Sequence, residues 1–223
     1  MSKKELIVRE NILGTNKKVA SEIRAQLAGR GILCVNLMSS PGAGKTALLE
    51  KIAEKLPPGQ AMAVIEGDVE TERDAERIRA KGIPAWQIIT GGECHLEARM
   101  IGQLFGGLPE KLDFLFIENI GNLICPASFD LGEHLRCVLL SSPEGDDKVR
   151  KYPEAFITSD CLLITKSDLM PYLLFDPERV KKEARELNPR LKIFVLSALK
   201  DRGLDDFLAF LVERRKELGT RHA

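Results

Sequence analysis

Ile32-Leu33-Cys34-Val35-Asn36-Leu37-Met38-Ser39-Ser40-Pro41-Gly42-Ala43-Gly44-Lys45-Thr46 is the stretch that decides the fold. Its first seven residues are an apolar run of strand length. A glycine-rich turn follows, and then a helical pattern with Leu48, Leu49, Ile52 and Leu56 on one face. Strand, glycine-rich turn, Lys-Thr and helix form the context that a phosphate-binding loop requires. Backbone N–H groups at the free end of the helix make a concave anion site, and glycine lets the main chain approach the phosphates. The phosphate cradle is expected at Gly42, Ala43, Gly44, Lys45, Thr46 and Ala47, with Lys45 supplying charge and Thr46 a hydroxyl for Mg²⁺. Ser39 stands where G-x-x-x-x-G-K-[ST] has its first glycine, and a serine fits there if its φ is negative. The alternative is a Gly-Lys-Thr that opens a helix by chance, which must then coincide with correct elements on both sides.

The remaining pattern alternates strands and helices. Strands are expected at residues 61–65, 83–89, 112–117, 136–140, 161–165 and 191–196, and helices at 70–81 and 96–104. This predicts an α/β P-loop NTPase with a doubly wound, mostly parallel sheet of about seven strands and helices on both faces. Residues 5–28 read as a helix with Leu6, Leu13, Ala20 and Leu27 every seven positions, widened by Ile12 and Ile23. No linker or repeat divides the chain, so 1–223 reads as one domain with 1–30 packed on its core.

Among 223 residues, Lys plus Arg and Asp plus Glu number 33 each, so no net field draws the protein to nucleic acid or an anionic membrane. The amino terminus lacks the apolar core of a signal peptide, and five cysteines, an odd number, suit a reducing compartment. A cytoplasmic location is expected.

Ligands in doubly wound sheets gather at the carboxyl ends of the strands. Thr165-Lys166-Ser167-Asp168 follows one strand and resembles the guanine-reading N/T-K-x-D motif. A carboxylate at Asp168 accepts from both N1–H and N2–H of guanine, while the Lys166 stem lies along the base. Ser197-Ala198 follows the last strand and resembles the loop that meets the guanine O6. GTP is therefore expected over ATP. Asp68 and Glu118 are the candidates for water and Mg²⁺, and Gly121 sits where D-x-x-G has its glycine. Asp68 alternatively caps a helix starting near Glu70.

Glu93-Cys94-His95 and Cys125-Pro126 also follow strand ends. Three soft or borderline donors suit Zn²⁺ or Ni²⁺, although the spacing is unlike paired C-x-x-C. Neighbouring Cys and His side chains are expected to share one compact tetrahedral site poorly within a single subunit. A plain pair of thiols is the competing reading. Cys34, Cys137 and Cys161 read as core, and His134 and His222 as surface histidines.

Glu93-Cys94-His95-Leu96-Glu97-Ala98, Glu118-Asn119-Ile120-Gly121-Asn122-Leu123-Ile124-Cys125-Pro126 and Glu144-Gly145-Asp146-Asp147-Lys148 together resemble the HypB family. Its members are GTPases of the SIMIBI class that assist nickel insertion into [NiFe]-hydrogenase precursors. The resemblance implies metal ligation by Cys94, His95 and Cys125 at a subunit interface, holding Ni²⁺ or Zn²⁺. It also implies a GTP-dependent homodimer, a HypA-like nickel accessory protein and the hydrogenase large-subunit precursor as partners. Related UreG proteins of urease maturation carry Cys-Pro-His, whereas Ala127 follows Cys125-Pro126 here. A carrier in which hydrolysis is incidental is a further alternative. The amino-terminal cysteine motif or histidine-rich tract of some members has no counterpart before Cys34.

Overall fold

The computed structural model describes residues 3–70 and 72–220, with side chains from residue 13 to residue 219. The expectations for Leu6, Ile12 and His222 fall on side chains outside this range. Seven strands form one sheet: β1 (Leu33–Ser39), β2 (Met62–Asp68), β3 (Ala85–Ile89), β4 (Phe114–Glu118), β5 (Leu135–Ser141), β6 (Cys161–Thr165) and β7 (Lys192–Val195). Their spatial order is β3-β2-β4-β1-β5-β6-β7, and every pairing is parallel. All chain direction is therefore common, and the loops leaving the strands meet along one edge of the sheet. The helices are α1 (Lys3–Gly29), α2 (Lys45–Lys55), α3 (Arg73–Ala80), α4 (Ala98–Gly102), α5 (Lys148–Lys151), α6 (Pro153–Ile157), α7 (Pro177–Leu187) and α8 (Leu204–Thr220).

Alternation along the strands divides the core. Leu33, Val35 and Leu37 of β1 face α2, α3 and α8, where Leu48, Ile52, Ile78 and Phe207 are buried. On the opposite face, Ala20, Ile23 and Leu27 of α1 and Ile101 of α4 cover β2 and β4. Phe156, Val180 and Ala184 of α6 and α7 cover Val138, Leu140, Leu162 and Ile164. Each fully buried leucine or phenylalanine contributes roughly 1.5–3 kcal/mol through apolar area removed from water. Between these last two clusters, on the same sheet face, lie the polar side chains of Asn36 and Arg136, register partners on β1 and β5.

Several boundaries differ from the sequence pattern for identifiable reasons. β2 continues through Glu66-Gly67-Asp68, because these residues pair in parallel with Gln87-Ile88-Ile89 of β3. α3 starts at Arg73 and not near Glu70: the Asp68 carboxylate accepts the Glu70 N–H at 2.8 Å, an Asx-type turn that holds the chain out of helix. Asp68 is thus no helix cap, since the N-cap position of α3 is Glu72. The helix expected at 96–104 contracts to α4, because Leu96 sinks into the core and Asn16 Oδ1 accepts the Ala98 N–H at 2.8 Å. His134 is not a surface histidine; it is half-buried, and its Nδ1 accepts the Cys34 N–H at 3.0 Å. Cys34, Cys137 and Cys161 are fully buried, as their apolar surroundings predict.

Candidate functional site

β1 delivers the chain directly into the glycine turn. Gly42 and Gly44 adopt φ of 74° and 95°, a region that costs a side-chain-bearing residue free energy. α2 then opens at left-handed Gly44 without a side-chain cap. The first-turn N–H groups of a helix have no partner within it, so here they point into a cleft where an anion can be held. Ser39 ends β1 outside the left-handed region, as a non-glycine residue there requires, and its hydroxyl accepts from Lys45 Nζ at 3.1 Å. The departure from the glycine pattern therefore provides a resting partner for the lysine.

A cleft of about 490 Å³ opens above this loop, lined by Gly42, Gly44, Lys45, Thr46, Ala47, Asp68, Glu118, Gly121 and Lys166, among others. Ala43 lies beneath it, fully buried. Thr46 Oγ1 donates to Glu118 Oε1 at 2.9 Å, and Lys45 Nζ stands 3.8 Å from the same oxygen. Glu118 Oε2 is buried without a hydrogen-bond partner. An orphaned carboxylate oxygen, a threonine hydroxyl and the nearby Asp68 are a hard oxygen set, which fits Mg²⁺.

Toward the base side, Thr165 Oγ1 donates to Ala43 O and Lys166 Nζ to Gly42 O, both at 2.7 Å. Lys166 holds a left-handed φ of 55°, a strained conformation for a side-chain-bearing residue. These bonds tie the Lys-x-Asp loop to the phosphate loop. The Ser197 hydroxyl donates to Asp168 Oδ1 and accepts the Lys200 N–H at 3.1 Å, so Ser197 and Ala198 stand beside Asp168.

The second cluster lies on the loops after β3 and β4. One ligand atom each from Cys94, His95 and Cys125 falls within 4.8 Å of the others. Sequence neighbours Cys94 and His95 each bring a ligand atom to this cluster within one chain. The irregular turn at residues 91–97 bends them to one side, with Cys94 Sγ 4.0 Å from His95 Nδ1. The His95 ring stacks on Phe129, centroids 3.9 Å apart, and its Nε2 is buried with no partner. Contact with Cys125, then burial, raises the pKa of the Cys94 thiol. A cation reverses this preference, because thiolates are the binding form.

The nucleotide-binding-domain model described as CobW/HypB/UreG matches residues 33–195. The Hydrogenase/urease maturation factor HypB of Helicobacter pylori is 44% identical over 222 residues, covering 97% of this chain and 91% of its own. The Hydrogenase maturation factor HypB of Escherichia coli is 46% identical over 217 residues, covering 96% and 75%. A crystal structure of HypB from Helicobacter pylori in complex with nickel superposes with a TM-score of 0.87 at 44% identity, covering 91% of this chain and 96% of that one.

The chain belongs to the HypB family.

HypB of Archaeoglobus fulgidus is similar as well, with a TM-score of 0.84 at 40% identity and coverage of 91% and 99%. Within this HypB framework, sequence reasoning missed several residues near the two clusters. Glu66 is the foremost: it is buried beside Glu118, and burial and then the Glu118 charge push its pKa up to about 10. A glutamate inside an otherwise apolar strand end was the available signal. Asp74 and Arg77 of α3 line the nucleotide cleft, with Arg77 paired to Glu50 at 2.9 Å. Asn16 is the third. It bridges the start of α4 and the loop after β4, accepting from Ala98 N and donating to Asp130 O at 2.7 Å. A buried asparagine on the apolar stripe of α1 was its only trace in the sequence.

Proposed function

We propose that the protein is a GTP-hydrolysing nickel metallochaperone of hydrogenase maturation, working through a GTP-dependent homodimer with metal held at the subunit interface. One observation carries the reading. The loop after β4 lines the nucleotide cleft at Asn119, Ile120 and Gly121 and reaches the cluster residue Cys125 a few positions on. A segment that touches both sites lets occupancy of one bias the other. Ile124, next to Cys125, is 62% exposed, and Leu174 and Leu199 beside the base loops are more so. Apolar side chains in these places suit burial by a second subunit.

In this reading GTP lies with its phosphates on Gly42–Ala47 and its base against Lys166, Asp168, Ser197 and Ala198. Thr46, Asp68 and Glu118 hold Mg²⁺, which neutralises phosphate charge when bound. Lys45 leaves Ser39 and meets the transferring phosphoryl oxygens, where it stabilises developing charge. Asp68 and the Gly121 backbone orient the attacking water for in-line displacement. Cys94, His95 and Cys125 offer three donors per subunit to nickel as cargo, or to zinc, and leave room for donors from the partner subunit. The nickel-bound HypB relative supports the metal. A HypA-like nickel accessory protein and the hydrogenase large-subunit precursor are the proposed cytoplasmic partners. Among the described residues no helix is long and apolar enough to cross a membrane.

Sedimentation with a non-hydrolysable GTP analogue, with and without nickel, tests the proposal. A dimer formed only with analogue supports it, and a monomer under saturating analogue and metal overturns it. Service to urease is the second reading, because the Helicobacter relative is named for both enzymes. Measuring hydrogenase and urease activities after loss of the gene separates the two.

A further inference from the structure

A buried polar seam crosses the sheet face between the α1 and α6–α7 apolar clusters. It begins at the nucleotide loop, where Asn119 Oδ1 accepts the Ile120 N–H at 2.9 Å. Asn119 Nδ2 donates to Asn36 Oδ1 at 3.2 Å, and Asn36 Nδ2 donates to Glu133 Oε1 at 3.2 Å. Arg136 Nε donates to the same Glu133 oxygen at 2.7 Å, while Glu133 Oε2 accepts the Leu131 N–H at 2.7 Å. The Arg136 guanidinium then reaches the metal loop itself, donating to Ala127 O at 3.0 Å and Phe129 O at 2.9 Å. Phe129 is the ring stacked on His95, and Ala127 lies two residues beyond Cys125.

Isolated polar groups in such a core cost free energy, and satisfied ones fix a single arrangement. Asn36 and Asn119 are 0% and 1% exposed, so this seam holds geometry and not surface charge. An arginine fork locks two carbonyls in one plane, which a lysine cannot do.

We propose that Asn36, Glu133 and Arg136 are positioning residues that couple the nucleotide loop to the metal cluster, setting Cys125 and the His95 ring according to what occupies the cleft. The inference rests on the reading of Cys94, His95 and Cys125 as nickel ligands. The Asn119 end senses movement of the 118–121 loop, and the Arg136 end passes it to the backbone at 127 and 129. Neither Asn36 nor Arg136 is among the residues lining the cleft or the three of the cluster.

The test is nickel titration of the whole chain, read by thiolate-to-nickel absorption, with GDP and with a non-hydrolysable GTP analogue. Wild type is expected to show different nickel affinities in the two nucleotide states. Arg136→Lys is expected to lower nickel affinity about tenfold, the scale for groups that orient metal ligands, and to erase the nucleotide-dependent difference. Its nucleotide affinity stays unchanged. Phe129→Leu, a change to one half-buried ring, is the second variant should Arg136→Lys fail to fold; it is expected to weaken nickel binding and to shrink the nucleotide-dependent difference. A folded Arg136→Lys or Phe129→Leu protein that keeps the wild-type nickel affinities and their difference overturns the inference. So does wild-type nickel binding at the cluster that ignores nucleotide. Nickel binding that survives Cys125→Ser unchanged overturns the metal site itself, a separate failure.

Discussion

Glu66 and Glu118 are register partners on the adjacent parallel strands β2 and β4, both buried at the head of the phosphate loop. Two carboxyl groups so placed cannot both ionise cheaply. Burial raises the pKa of Glu118 while Lys45 opposes the rise, and Glu66 is pushed up to about 10 by burial and by Glu118. Both shifts disfavour a second negative charge on the pair, and Lys45 Nζ lies 3.8 Å from Glu118 Oε1.

This makes stability pH-dependent with a definite sign. A glutamate with an unfolded pKa of about 4.3 and a higher folded value stabilises fully below the former, and its contribution is lost as pH rises toward the latter. Glu66→Gln is expected to flatten the decline between pH 5 and 9 and to stabilise the nucleotide-free protein most at the alkaline end. Urea denaturation across that range measures it. A wild-type and variant difference that stays constant with pH contradicts the raised pKa of Glu66.

Cys94→Ser and Cys125→Ser each remove one of three donors whose ligand atoms lie within 4.8 Å. Metal affinity is expected to fall tenfold or more, on the order seen when ligand shells are disturbed, while GTP affinity holds. Equal damage to both affinities means the two sites are not separate.

Asp168→Asn replaces an acceptor pair with one acceptor and one donor. Discrimination for guanine over xanthine is expected to collapse or invert in a nucleotide competition assay. The Ser197 hydroxyl, now on Asp168, sets that carboxylate's orientation, so Ser197→Ala is expected to weaken guanine binding to a smaller degree.

Lys45→Ala removes the cation beside Ser39 and Glu118. Single-turnover hydrolysis is expected to slow by about a hundredfold or more, the scale for loss of one charge-stabilising donor. Nickel delivery that survives with nucleotide binding abolished favours a carrier in which hydrolysis is incidental.

Gly132 has φ of +86°, and a Cβ there would lie 2.3 Å from Ile23 Cγ2 and 2.8 Å from Ala20 O. Gly132→Ala forces α1 away from the loop that ends at β5 and is expected to cost about 2 kcal/mol or more. The shift in urea midpoint reads this, and an unchanged midpoint means α1 is not tightly seated.

Much of this was legible along the chain because the relevant chemistry is local. A phosphate loop is a run of consecutive backbone groups, so Ile32–Thr46 specified strand, turn and helix with no distant partner. The buried cysteines were readable for the same reason, from the apolar runs around them. Boundaries failed where a distant group intervened: Asn16 intercepts the Ala98 N–H from α1, and β3 extends β2 through Glu66-Gly67-Asp68.

The sequence by itself determined the chemical kinds: a phosphate loop, a Lys-x-Asp turn after a strand, and soft donors at strand ends. Only the tertiary structure decided which of them meet. Cys94 and His95 close on Cys125 through the packing of two loops over α1, and Asn36 finds Glu133 across 97 positions. Local spacing dictates backbone conformation and side-chain type. Burial and pairing between remote residues follow from how strands register and faces pack, which no window of sequence contains.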